Sequence, residues 1–296
     1  MTQELDFSTE RMSWGARQRL EFIEFRLFWE GELNRNEITD RFGVSIPQAS
    51  TDLSTYRALA PSNIEYNGSK KRYEATPDFQ PQLIVPSAER YLAQLRAVSD
   101  AVITLADTSI AELPDLGLMP VPARRVDPLT LRAFLSAMKS QRSISIEYQS
   151  MNERRPAPMW REITPHAFGW DGFRWHARAF CHLERVFKDF IISRCLKLGK
   201  LGQAQGKASD DLNWNSYFDV VLIPNPQFSA AQKRTIELDY GMTKGKCIVR
   251  VRHALLYYFD KRLRLDIAAK QDRPKETPVV VANRRAYNRV LDKVAY

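Results

Sequence analysis

Apolar residues recur at helical spacing along the first sixty positions. Ala16, Leu20, Ile23 and Leu27 form one stripe of a helix predicted over about residues 13–29, and Phe22, Phe25 and Trp29 form a second stripe beside it. That arc is wider than one core face needs, so it implies contact on two sides, with a linker helix or a second subunit. Gly31 ends the segment. A short second helix over about residues 34–41 leads through Phe42-Gly43-Val44-Ser45, a glycine turn ending in an N-cap serine. A third helix over 46–60 stops at Pro61. Asn67-Gly68, between the β-prone runs 63–66 and 70–74, predicts a hairpin.

Pro77, Pro81 and Pro86 mark a linker, after which Tyr91, Leu92, Leu95, Val98, Val102 and Leu105 predict one long amphipathic helix over about residues 87–107. A further helix is expected over 129–139. The period then switches to two, in 143–148, 160–164 and 173–179, with Asp171-Gly172 as a hairpin turn. This is a small bent β module, expected to close as a barrel. Beyond a polar boundary at 202–212, the pattern predicts a strand at 218–223, a helix at 229–238, a strand at 247–252, a helix at 255–263 and a strand near Val279. The resulting fold class is α+β and multidomain. The expected divisions are 1–80, a winged helix-turn-helix; 81–140, a helical linker; 141–203, the β module; and 204–296, an α+β extension serving dimerisation.

Charge sharpens this division. The chain of 296 residues has a formal net charge of +9. Residues 1–80 hold 10 Lys+Arg against 13 Asp+Glu and residues 81–120 hold 2 against 5, whereas 121–205 hold 15 against 7 and 206–296 hold 17 against 10. No apolar run reaches the ~18 residues of a membrane helix, and the beginning Met1-Thr2-Gln3-Glu4-Leu5-Asp6 has no basic, then apolar, leader pattern. Cys181, Cys195 and Cys247 lack CxxC spacing and read as reduced thiols of a cytoplasmic protein.

Three helices with a tight turn before the third, then a basic hairpin, form the layout of a DNA-reading module. On the third helix Ile46, Ala49, Leu53, Tyr56 and Ala60 share one face. Gln48, Thr51, Ser54 and Thr55, with Ser45 at the cap, offer small hydrogen-bonding side chains suited to a major groove ~12 Å wide. Gln48 has the amide that matches adenine. Arg57, Lys70, Lys71 and Arg72 are the candidate phosphate contacts on double-stranded DNA.

The middle module resembles a known family. Trp160-Arg161-Glu162-Ile163-Thr164-Pro165-His166, the run Asp171–Cys181, Phe187-Lys188-Asp189-Phe190 and Ile192-Ser193-Arg194 resemble the WYL domain, although Trp175-His176-Ala177 stands where the name triplet Trp-Tyr-Leu is usual. The order of modules is similar to that of WYL repressors beside bacterial phage-defence operons. The resemblance implies an Sm-like β-barrel that senses a nucleotide or oligonucleotide effector, and a homodimer on a palindromic operator. Its candidate ligand residues are Tyr148, Ser150, His166, Arg174, His176, Arg178 and Arg194. Arg178 and Arg194 are suited to phosphate, and the others to hydrogen bonding or stacking on a base. Alternation places Arg174, His176 and Arg178 on one strand face and assigns Trp175 to the core. His166 reads equally as a structural histidine.

No cofactor and no metal is expected. The histidines and cysteines lack ligand spacing, and GxxxxGK[ST], GxGxxG and GxSxG are all missing. Cys181 and His182, adjacent on a strand, point apart. The alternative function, a nucleic-acid or nucleotide hydrolase using the His/Arg cluster, is therefore the weaker one, and metal dependence would separate the two. An assembly adaptor without DNA binding would require the Lys70–Arg72 wing to be irrelevant.

Overall fold

Ser13 opens helix α1 (Trp14–Glu30) by accepting a hydrogen bond from the Ala16 N–H, and Gly31, at φ 78°, closes it. The computed structural model describes residues 12–120, 122, 124–153 and 155–294. Its contacts divide the chain into two units, Met1–Pro120 and Val121–Tyr296. The predicted linker 81–140 thus contributes to both.

In the first unit, α1 is followed by β1 (Glu32–Leu33), α2 (Arg35–Phe42), α3 (Ile46–Leu59), β2 (Ile64–Asn67), β3 (Arg72–Ala75) and α4 (Ala88–Ser99). Asn34 and Glu37 cap α2 reciprocally, and Gly43 ends it in the left-handed region at φ 64°. Leu20, Ile23 and Leu27 of α1 pack with Ile38 of α2 and with Ala49, Leu53 and Tyr56 of α3. The second apolar stripe of α1 is covered from within the chain. Phe25 and Trp29 stack on Tyr91 of α4 at 6.0 and 4.7 Å. That stripe therefore gives no argument for a second subunit. The three strands pair in the order β1-β3-β2. The helix expected to reach 107 ends at Ser99, because Ala101 turns to φ 53° and Val102 is left 74% exposed.

In the second unit Asp127 caps α5 (Pro128–Lys139), which buries Phe134 and Ala137 against the sheet. That sheet contains β4 (Ser143–Tyr148), β5 (Met159–Trp170), β6 (Trp175–Cys181), β7 (Val186–Ile191) and β8 (Cys195–Gly202), ordered β7-β6-β5-β4-β8 and antiparallel throughout. The expected closure is not seen: β7 and β8 do not pair among the described residues. The 3-10 turn Ile192–Arg194 carries the chain from one end strand to the other. After α6 (Leu212–Asn215), β9 (Tyr217–Pro224) lies between β10 (Cys247–Arg252) and β11 (Val279–Val281). Helix α7 (Ala230–Asp239) packs on β9. The helices α8 (Leu256–Arg262), α9 (Leu265–Ala268) and α10 (Arg284–Val294) share a core with Val220, Leu222 and Val251. Neither α9 nor α10 was signalled by the apolar pattern. The first is a single turn, and the second follows a short apolar strand and is rich in charge.

Candidate nucleic-acid interface and ligand site

Helix α3 starts at Ser45, whose hydroxyl accepts from the Gln48 N–H at 3.3 Å. Ala49, Leu53 and Tyr56 are buried, and Ser45, Thr51, Ser54, Thr55 and Arg57 are exposed on the other side. Ile46, assigned to the core face, is 55% exposed because the helix begins there, beyond the core. The exposed hydroxyls all turn back on their own helix. Thr51 donates to the Pro47 carbonyl at 3.0 Å, Ser54 to Ser50 at 2.9 Å and Thr55 to Thr51 at 2.8 Å. With their protons engaged, these hydroxyls offer lone pairs and, at threonine, methyl groups. Such a surface can accept from cytosine or adenine amino groups and touch thymine methyls. Gln48 donates to Asp52 at 3.0 Å, and Asp52 is held by Arg19 at 2.6 and 3.1 Å. A bidentate adenine contact uses both ends of the amide, so Gln48 must leave Asp52 to make it.

The wing cations are unequal. Lys70 pairs with Glu74 at 2.8 Å, and Arg72 pairs with Glu32 and, at 3.6 Å, with Glu37. Lys71, at φ 55° in the loop, and Arg57 are exposed and have no ion pair among the described residues. The Asn67 side chain shapes this loop by accepting from the Ser69 and Lys70 N–H groups. Most carboxylates of the front module are engaged among the described residues. Glu24 is fully buried, and Glu32, Glu37, Asp52 and Glu74 are in ion pairs.

The seven candidate ligand residues fall into two groups. Tyr148, Ser150 and Arg194 lie at the end of β4. The Tyr148 hydroxyl accepts from the Ile191 N–H at 3.1 Å, and its ring meets Phe190 edge-on. Burial pushes the Tyr148 hydroxyl pKa up, partly offset by that N–H and by the Arg194 guanidinium beside it. The Ser150 hydroxyl accepts from the Asn152 N–H at 3.2 Å. Arg194 is half-buried and has no carboxylate partner among the described residues.

His166, His176 and Arg178 lie instead beneath the C-terminal elements, and Arg174, half-buried, stands at the same end of β6 on Asp171. Arg178 is 1% exposed. It donates to both oxygens of Asp211 at 2.7 and 3.1 Å and to Asp189 at 3.2 Å. His166 Nε2 lies 3.0 Å from Asp211, and the Tyr258 hydroxyl donates to Asp189 at 3.1 Å. Asp171 receives Arg174 and the Nε2 side of His176, each at 2.8 Å, and the His176 ring packs on Tyr258. The alternation of β6 holds, but the expected open polar face does not. One side of β6 faces the core under α5, and α6 and α8 cover the other.

Trp175 corrects a second expectation. It is 51% exposed because β6 begins there, past the edge of the core, and it lines an apolar cleft of about 410 Å³ with Val126, Leu131, Leu135, Phe168 and Ile192. The carboxylates that complete the network, Asp171, Asp189 and Asp211, were missed as site residues. The available signal was Arg178 itself: an arginine on a strand that becomes buried demands carboxylates. Among the described residues no group of three or more His, Cys, Asp or Glu side chains could hold a metal ion.

Burial opposes ionisation of Asp211, yet hydrogen bonds from His166, Arg178 and the Trp214 N–H, with the Arg178 charge, bring its pKa down to about 2. A depressed carboxylate stabilises the fold above its unfolded pKa of ~3.9 and loses that contribution as pH falls through the folded value. Acid titration of the intact protein should therefore weaken the second unit between about pH 4 and pH 2. The loss expected from this group is roughly 2 kcal/mol, and it should be absent in Asp211→Asn. Urea midpoints of the two proteins that fall in parallel over that range would contradict it.

Residues 15–97 match the winged helix-turn-helix domain of the BrxR transcriptional regulator, residues 129–198 the WYL domain, and residues 217–287 the BrxR C-terminal dimerization domain. The DNA-binding transcriptional repressor CapW of Escherichia coli (strain KTE188) is 36% identical over 271 residues, covering 92% of this chain and 90% of that protein. The chain belongs to this family of WYL-domain transcriptional regulators. CapW of Stenotrophomonas maltophilia is 36% identical over 93% of the chain and 92% of its own length, and CapW of Pseudomonas aeruginosa 35% over 96% and 93%. These relatives are named repressors and not enzymes. Among solved structures, PafBC of Arthrobacter aurescens covers 95% of this chain at 15% identity with a TM-score of 0.25, and this chain spans 49% of it. In the family's terms α1–α4 form the winged-helix match, α5 to β8 the WYL match, and β9 to the start of α10 the dimerization match. No helix among the described residues is long and apolar enough to cross a membrane.

Proposed function

We propose that this chain is a homodimeric, cytoplasmic repressor that reads a palindromic operator of a phage-defence operon, and that a nucleotide or oligonucleotide effector bound to its WYL module controls DNA affinity. The observation that carries the DNA reading is the exposed face of α3, which offers Thr51, Ser54, Thr55 and Arg57, together with the exposed wing residue Lys71; neither cation has an ion pair among the described residues. CapW relatives named as DNA-binding repressors support it. The five bent antiparallel strands with α5 across them support an Sm-like reading of residues 141–203, flanked by the functional divisions 1–80, 81–140 and 204–296.

For the effector, Arg194 is the stronger anchor, because its guanidinium lies beside Tyr148 with no carboxylate to displace. His166, Arg174, His176 and Arg178 form the link through which an occupied WYL module would act on the dimerisation elements, since Asp211 and Tyr258 come from that side. A ligand shifts affinity only by favouring one of two arrangements, and a network shared by both modules is where these would differ.

Gel-shift titration with DNA from the protein's own upstream region, with and without short oligonucleotides, tests both halves. Lys71→Ala and Arg57→Ala should weaken binding to all sequences and flatten the salt slope by about one unit for each phosphate no longer neutralised. Thr51→Ala and Gln48→Ala should instead relax sequence preference by ~1–3 kcal/mol. Normal binding by Lys71→Ala across salt concentrations would remove the wing from the interface. Arg194→Ala should keep operator binding within about tenfold, ~1.4 kcal/mol, while losing the oligonucleotide response. Loss of DNA binding by a folded Arg194→Ala protein would make this region part of the DNA footprint.

A further inference from the structure

Strand β10 is an end strand of its sheet. β9 is its only strand neighbour, so alternate N–H and C=O groups along Cys247–Arg252 have no strand partner among the described residues. Such an edge is a template for another chain unless it is blunted. Here the blunting is partial: Arg250 and Arg252 put charge on a short strand, but Ile248, Val249 and Val251 are β-branched and Ile248 is 56% exposed. Beside it the face of the sheet is open. Register sets Tyr217 opposite Arg252 and Asp219 opposite Arg250. Arg250 and Arg252 both lie over the Tyr217 ring, at 4.8 and 4.6 Å, and Arg252 also covers Trp214 at 4.7 Å. Asp219, though directly opposite Arg250, pairs with no cation among the described residues. Exposed tyrosine, arginine and an aliphatic anchor are the residue types that carry interface energy.

We propose that two copies of the chain join through this surface, their β10 strands pairing antiparallel about a two-fold axis. The inference rests on the homodimer reading and names its site. The occupant is a second copy because residues 217–287 match a dimerization domain and contain both strands. An isologous interface also asks one patch to complement itself. This patch meets that demand, since each Asp219 lies two strand spacings, roughly 10 Å, from the second copy's edge, within reach of its Arg250.

Light scattering and sedimentation of the full chain test the proposal. The wild type should run at twice the 34.2 kDa chain mass. Ile248→Asp, at an exposed position, should keep the wild-type circular dichroism and raise the dimer dissociation constant roughly 100-fold. Asp219→Arg should weaken the dimer roughly tenfold, and Asp219→Arg with Arg250→Asp should recover it. A monomeric wild type would overturn the homodimer reading itself. A dimeric wild type whose Ile248→Asp form is equally dimeric would leave that reading standing and overturn only this surface, as would a charge swap without recovery. Variants that stay dimeric but lose binding to a single-stranded oligonucleotide would overturn it too, and would give the arginine–tyrosine ladder to nucleic acid.

Discussion

Arg178→Ala should unfold the second unit far more readily than the wild type, by about 3–5 kcal/mol. The substitution leaves the Asp211 and Asp189 carboxylates buried and facing space that a guanidinium filled. Removing one partner of a buried pair costs more than the pair contributes, because the charge left behind has neither water nor a cation. For a unit of this size that is a fall in Tm of roughly 10 °C by differential scanning calorimetry. Arg178→Met combined with Asp189→Asn and Asp211→Asn should recover much of the loss, since it removes the stranded charges. A melting temperature unchanged in Arg178→Ala would mean that the buried pairing contributes nothing. Arg178 would then return to the role first expected of it, an open phosphate-binding group.

That contrast shows where sequence reading stopped. Period-two alternation correctly put Arg174, His176 and Arg178 on one face of β6, because a pleated strand leaves no other choice. What covers that face depends on Asp211, 33 positions from Arg178, and on Tyr258, 82 positions from His176. No local pattern holds that information. Elements bounded by their own caps were legible: Ser45, Asn34, Asp127 and Ser229 each stand one residue before an observed helix. The predicted helix over 87–107 overran because Val102 and Leu105 continue the apolar period after the backbone has turned at Ala101. Apolar residues at helical spacing are necessary for a helix and do not by themselves keep the chain in one.

The same logic explains how an acidic front module can serve a polyanion. Net charge counts carboxylates wherever they lie, whereas DNA feels those that face it. Residues 12–80 hold ten acids against nine Lys+Arg, and seven of the ten acids are buried or tied to arginine and lysine, so few free carboxylates remain there to oppose a polyanion. Glu24 is the extreme case, and its position has a mechanical reason. From the middle of α1 it reaches the segment between the wing and α4, accepting from the Gln82, Leu83 and Ile84 N–H groups at 2.8, 2.7 and 2.7 Å.

Glu24→Ala should accordingly be the most damaging single change in the first unit. The carboxylate also receives the Tyr56 hydroxyl at 3.0 Å, and Asn63 donates to that hydroxyl at 3.1 Å and to the Gln80 carbonyl at 2.7 Å. One buried group thus ties α1 to α3, to the base of the wing and to the chain leading into α4. Truncation leaves three backbone donors without an acceptor, at ~1–3 kcal/mol for each that water cannot reach. A total of about 3–5 kcal/mol follows if one or two of the three find water. Glu24→Gln keeps one acceptor oxygen and should recover part of this, so the order of stability by urea midpoint is wild type, then Gln, then Ala. Hydrogen exchange at Gln82, Leu83 and Ile84 should quicken in Glu24→Ala before the helices α1–α3 open. Operator affinity should fall with it, because the wing base and α3 are held by the same carboxylate. If Glu24→Ala kept the wild-type urea midpoint and slow exchange at those three amides, the carboxylate would not be what secures this segment.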